Sequence, residues 1–245
     1  VRNKTDKEVE VSLMMSWANM TGWGFEDQRP GVQDNWFSFI KTNGGHRHNM
    51  HKETVPGGDL VSVVMGQDKV KAEKEMDGEI AIAALGPKGS ETFIQEYFYT
   101  RGNEGELYEQ FGVDGTLTNQ PPHNMMEHQN YGSAVCVKVK LKANETVKIP
   151  FFLSWDLPIT HFGAGVDKYK YYTNFFDKTG KNSWKIIEEA VLNYNTWSEG
   201  IDNWHNDIIN NSKVAKVIKD EKFLADYFKA LINELYFLAD GGSYW

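Results

Sequence analysis

Val9, Val11, Leu13, Met15 and Trp17 alternate with Glu8, Glu10, Ser12, Met14 and Ser16. A period of two marks a strand with one buried face. Val135, Val137, Val139 and Leu141 alternate in the same way with Cys136, Lys138 and Lys140. The pattern predicts further strands over 60–65, 79–85, 92–100, 134–141 and 146–155. Turn residues separate them: Pro56-Gly57-Gly58-Asp59, Asp77-Gly78, Gly86-Pro87, Gly102-Asn103 and Asp114-Gly115. Short alternating strands with frequent turns predict an antiparallel β-sandwich. No fixed repeat supports a propeller or a solenoid. Trp17–His51 and Gly112–Gly132 read as long connections. Connections of that length are often functional.

The period changes near Ser183. Trp184, Ile187, Val191, Tyr194, Ile201 and Ile208 recur at helical spacing, and Asn182 or Ser183 is placed to cap the helix. A second helix is expected over 222–240, closed by Gly241-Gly242. It is apolar on nearly every side, which is the mark of a buried helix. The two patterns divide the chain into a β-sandwich over residues 1–160 and the start of a helical domain over 161–245. The chain opens on a strand pattern without Met and stops just past an apolar segment, so it reads as a fragment of a longer protein.

Composition narrows the function. The 245 residues are 40% hydrophobic and 13% aromatic, enough apolar surface to offset the entropy of ordering. Net charge is −8 and the pI is near 5.4, which gives no electrostatic footprint for nucleic acid. No apolar run approaches the roughly 18–20 residues of a membrane span. A lone Cys136 excludes an internal disulfide framework and fits a reducing, cytoplasmic setting. Oligomeric state is not legible.

Glu234 stands inside the second helix, and positions 227, 230, 231, 237 and 238 on its face are apolar or aromatic. A buried carboxylate without partners costs several kcal/mol or takes up a proton. It is therefore either ion-paired or chemically used. His46, His48 and His51 are close enough in sequence to suggest zinc, but their setting reads as a Gly-rich loop rather than the rigid frame zinc needs. Solvated histidines are the simpler reading there and at His123 and His128, so no metal or cofactor is expected. Trp36 and its neighbouring aromatics fit either a sugar-stacking surface or a small core beneath a loop. Asn3-Lys4-Thr5, Asn19-Met20-Thr21, Asn144-Glu145-Thr146 and Asn210-Asn211-Ser212 match glycosylation acceptors at about the frequency chance gives.

The run Asn233-Glu234-Leu235-Tyr236-Phe237-Leu238-Ala239-Asp240-Gly241-Gly242 resembles the nucleophile segment of the family 116 glycoside hydrolases. Ser154-Trp155-Asp156-Leu157-Pro158 resembles that family's exit from its N-terminal domain. Tyr171-Tyr172-Thr173-Asn174-Phe175-Phe176 resembles its Tyr-Tyr-Thr-x-Phe-Phe stretch. Tyr194, Trp197 and Trp204 are similar to its aromatic helix, and 11–19 to its Ser-Trp-x-Asn strand end. Ser243-Tyr244 departs from it: relatives more often carry Thr and an aliphatic residue there.

The resemblance implies a mixed, multi-domain fold: an antiparallel β-sandwich followed by the first helices of an (α/α)6 barrel. It also implies a retaining β-glycosidase acting on small or lipid-linked β-glucosides, with Glu234 as nucleophile. Retaining enzymes place two carboxyl groups roughly 5–5.5 Å apart. Asp240 lies six residues on, about 240° around a helix and about 9 Å along it, a poor geometry for the second group. It fits a sugar-hydroxyl ligand or a terminal polar residue instead. The acid/base, an Asp in this family, is expected beyond residue 245. The competing expectation is a non-catalytic carbohydrate-binding or adhesion sandwich with packing helices.

Overall fold

The computed structural model describes residues 1–26, 36–39, 45–68, 74–100, 105–122, 130–162 and 166–210. By packing, these fall into two compact units. The first holds Val1–Thr160 and Tyr169–Glu189; the second holds His161–Lys168 and the chain from Ala190.

The first unit is an antiparallel sandwich. One sheet has the order β1–β8–β7, from Val9–Ala18, Tyr131–Leu141 and Glu91–Tyr99. The other has the order β4–β5–β6–β9, from His46–Val55, Gly58–Gln67, Glu79–Pro87 and Phe151–Asp156. A ribbon, β2 (Trp23–Glu26) with β3 (Trp36–Phe39), forms a two-stranded sheet of its own. The alternation is realised as a common core. Val61, Val63 and Met65 of β5, Ile80, Ile82 and Ala84 of β6, and Val135–Leu141 at odd positions of β8 pack together. Val9, Val11, Met15 and Trp17 of β1 close it from the side.

Both sheets are also covered on their outer faces, which explains why β5, β6 and β8 are buried on both sides. Ala134 and Cys136 of β8 pack under Leu107 and Phe111 of a helix, α1 (Gly105–Asp114), with Phe98 and Leu117. The outer face of β5, β6 and β9 is small at its centre: Ser62, Ala81, Ala83 and Ser154 are all buried. The first turns of α2 (Ser183–Ile209) lie on it. Ser154 Oγ donates to the Ser183 carbonyl at 3.1 Å, and the His51 ring stacks on Trp184 at 4.3 Å.

Each predicted strand forms, with β9 beginning at Phe151 rather than Thr146 because Pro150 lacks an N–H for the ladder. Other features differ from the sequence reading or add to it. The supposed loop through His51 contains β2, β3 and the start of β4. The connection after Thr100 contains α1. The stretch after Asp156 contains a further ribbon, β10 (Ile159–Phe162) with β11 (Val166–Tyr169). The helix at Ser183 forms as expected, but not with a side-chain cap. Asn182 gives its amide to Asp177, and Ser183 Oγ has no partner among the described residues. The β4–β5 hairpin needs its glycines: Gly57 has φ +115°, and a Cβ at Gly58 would fall 1.8 Å from the Gly86 carbonyl oxygen. The helix expected over 222–240 lies outside the described residues.

Among the described residues, no helix is long and apolar enough to cross a membrane.

Candidate functional site

Glu234 and Asp240 lie outside the described residues, as do His123 and His128. Trp36 opens β3 and pairs in register with Glu26 of β2; only its backbone is described. The histidines of β4 do have a defined setting.

That setting begins with a bulge in β7. Gln95 pairs with Ala134, but Phe98 pairs with Gly132, so three steps along β7 match two along β8. The extra residue leaves the backbone of Glu96 and Tyr97 out of the ladder. Side chains replace the lost bonds. Glu96 N–H donates to Asn119 Oδ1 at 2.8 Å. The Glu96 carbonyl accepts from His48 Nδ1 at 2.7 Å and from Ser133 Oγ at 2.7 Å. The Tyr97 carbonyl accepts from Gln95 Nε2 at 2.7 Å.

His48 is 4% exposed and stacks on the Tyr97 ring, with centroids 4.1 Å apart. Its Nδ1–H serves the Glu96 carbonyl, so its Nε2 is the acceptor and faces Asn19 Nδ2 at 3.1 Å. Burial disfavours the charged imidazolium and pushes His48 down to about 3. Asn19 is the hub. The same Nδ2 lies 3.0 Å from His46 Nδ1 and 2.8 Å from the Gly66 carbonyl. Its Oδ1 accepts from the Thr21 N–H and hydroxyl.

This corrects the reading of these residues as a solvated, Gly-rich loop. β-pleating puts His46 and His48 on one face of β4 and His51 on the other, against Trp184. The three cannot converge on one ion. Among the described residues, no group of three or more His, Cys, Asp or Glu is arranged to hold a metal.

A second polar cluster sits where the chain leaves the sandwich. Asp156 ends β9, is fully buried, and pairs in register with Glu79 of β6. Its Oδ1 accepts from the Tyr172 hydroxyl at 2.8 Å and its Oδ2 from the Asn182 N–H at 2.5 Å. One carboxylate therefore ties β9 to the 3-10 turn Tyr171–Asn174 and to the start of α2. Burial and this carboxylate both push the Tyr172 phenol up. Burial also raises Glu79, against the opposing pull of Arg47 at 3.0 Å. Asp156 was visible in the sequence only as part of the Ser154–Pro158 resemblance. The available signal was a carboxylate between Trp155 and Leu157 at the end of an apolar strand.

Neither cluster offers an activated nucleophile or a paired acid and base. Both hold backbone in place. Compared with known families, residues 1–197 match the model described as beta-glucosidase 2, glycosyl-hydrolase family 116 N-term.

Proposed function

The chain belongs to glycosyl-hydrolase family 116 through its N-terminal domain, and on that premise we propose that it is part of a retaining β-glycosidase whose nucleophile is Glu234. The supporting observation is that, in a chain of this family, the apolar residues Ala230, Leu231, Phe237 and Leu238 flank Glu234 at helical spacing in the sequence. The proposed domains are the sandwich over residues 1–160 and the start of an (α/α)6 barrel over 161–245.

In the first step a Glu234 oxygen bonds to the anomeric carbon as the glycosidic C–O bond breaks. An Asp beyond residue 245 gives its proton to the leaving oxygen. In the second step the same Asp takes a proton from water, the water oxygen bonds to the anomeric carbon, and Glu234 is released. The substrate is a β-glucoside, small or lipid-linked as in the glucosylceramidases, and the setting is cytoplasmic. Residues 1–245 alone hold half of the two-carboxylate pair and give no turnover.

The test uses the enzyme carrying this chain together with its downstream acid/base. Glu234→Gly is compared with wild type on an aryl β-glucoside with a good leaving group, with and without azide. The expected result is lost activity that azide restores, with a glycosyl azide of inverted configuration as product. Unchanged activity in Glu234→Gly overturns the assignment.

A further inference from the structure

A groove of 430 Å³ opens between β7 and α1, directly over the bulge, and is closed on its third side by the segment through Pro121-Pro122. That volume falls in the range of small-ligand sites, about 300–1,000 Å³. Its lining chemistry is one-sided. Tyr97 and Tyr99 supply aromatic surface. Glu106 and Glu109 on α1 supply carboxylates, and Gln110 and Gln120 supply amides. No lysine, arginine or histidine among the described residues lines it.

Gln95 adds a second, independent observation. It lines the groove and is 3% exposed. Its Nε2 is committed to the carbonyls of Tyr97 at 2.7 Å and Gln120 at 2.5 Å. Its Oε1 has no hydrogen-bond partner among the described residues. A buried acceptor left open is uncommon, and a donor in the groove reaches this one only when the Gln95 side chain turns towards it.

We propose that this groove is a non-catalytic binding site for a neutral saccharide. The lining selects that class. Carboxylate and amide oxygens accept hydrogen bonds from hydroxyls, and amide N–H groups donate to ring and glycosidic oxygens. Tyrosine rings cover the apolar C–H faces of a pyranose. Phosphorylated, sulfated and uronic-acid ligands are disfavoured, because two glutamates face them with no cation among the described lining residues. The bulge shifts the alternation of β7 by one residue, so that Phe98, three positions on from Gln95, also borders the groove. The site does not use Glu234.

The test is calorimetric titration of the 245-residue chain with cellobiose, in wild type and three variants. Val113→Trp fills the groove from a position that is 84% exposed, and Glu109→Ala removes an exposed carboxylate. Both spare the core, and near-UV circular dichroism checks their folding. Glu234→Gln controls for binding at the proposed nucleophile. The expected result is binding in wild type and Glu234→Gln alike, with at least tenfold weakening in Val113→Trp and in Glu109→Ala. No binding in wild type, or full binding in both groove variants, overturns the proposal. Binding lost in Glu234→Gln but kept in the groove variants also overturns it, while leaving the nucleophile assignment standing. Failure of the azide experiment leaves the groove untouched.

Discussion

His48 makes the sandwich acid-sensitive by an amount that follows from its burial. Its imidazole stays neutral in the fold down to about pH 3, against 6.5 for a free histidine. Between those values the unfolded chain binds a proton that the folded chain refuses. Stability therefore rises with pH across that window and is lost as pH falls through it. At pH 7 the loss is close to zero. At pH 5 it is about 2 kcal/mol, from 1.36 kcal/mol per unit over the 1.5 units below the unfolded value. His48→Phe isolates this contribution, because the ring keeps its place against Tyr97 and cannot titrate. At pH 7 the variant is less stable by about 1–3 kcal/mol, since it gives up the bonds to Glu96 and Asn19. That penalty is limited because Ser133 still serves the Glu96 carbonyl and Gly66 still accepts from Asn19. The measurement is urea unfolding by tryptophan fluorescence at pH 7, 6 and 5. The gap between wild type and variant should close by about 2 kcal/mol on going to pH 5, about 1 M in urea midpoint at a typical slope. Titrations of groups remote from His48 cancel in the difference. Parallel curves at all three pH values would refute the burial argument.

Asp156→Asn should cost about 2–3 kcal/mol in chemical unfolding, because an amide cannot accept from both Tyr172 and Asn182. Tyr172→Phe should cost less, and the double variant less than the sum, since both changes break one network; simple additivity would count against the latch. Arg47→Met should destabilise by about 1–3 kcal/mol at pH 7 by leaving Glu79 buried without its cation. Burial already raises Glu79, so its protonated form suits the fold and the deficit should shrink towards pH 5; a pH-independent deficit would refute this. Cys136 is fully buried and its thiol is pushed up to about 12, so a disulfide reagent at pH 8 should leave it unmodified until urea unfolds the chain.

The parts of the fold that the sequence announces are those where one physical demand dominates. In β1 and β8 the inner face must be apolar to meet the opposite sheet, so the period of two is plain. In β4 several demands compete. It is a sheet edge, and edges carry charged and polar residues that discourage further pairing. His46–Val55 therefore shows only Met50 and Val55 as apolar positions. The inward place that a Val or Ile would normally mark is taken by His48, whose partners come from β7, β8 and the segment after β1. A histidine buried by residues this far away in sequence looks like any loop histidine. The helix α1 is short, and its buried stripe is essentially Leu107 and Phe111, too little to show a period. Glu234 draws attention for the opposite reason: its anomaly is local in the sequence, a carboxylate whose neighbours three and four positions away on both sides are apolar or aromatic, and it lies outside the described residues.

The Asn-x-Thr triplets show how a sequence signal can have a physical source other than the one its motif suggests. Asn3 and Asn19 each accept from the N–H and hydroxyl of the Thr two residues on. Asp114-Gly115-Thr116 and Asp177-Lys178-Thr179 form the same turn with a carboxylate oxygen. A side-chain oxygen two residues before a Thr is all that the turn requires, so Asn and Asp serve it equally. What separates them is the rest of the side chain. Asp114 and Asp177 are exposed, and their second oxygen can face water. Asn3 and Asn19 are buried, and their amides donate to backbone carbonyls: those of Lys7, Leu141 and Lys142 for Asn3, and that of Gly66 for Asn19. A carboxylate there would set oxygen against oxygen. The same commitment removes both nitrogens from the reach of a glycosylating enzyme in the folded chain. Two of the four triplets are thus Asx-turns whose residue choice is fixed by burial, and the motif is a by-product of that chemistry.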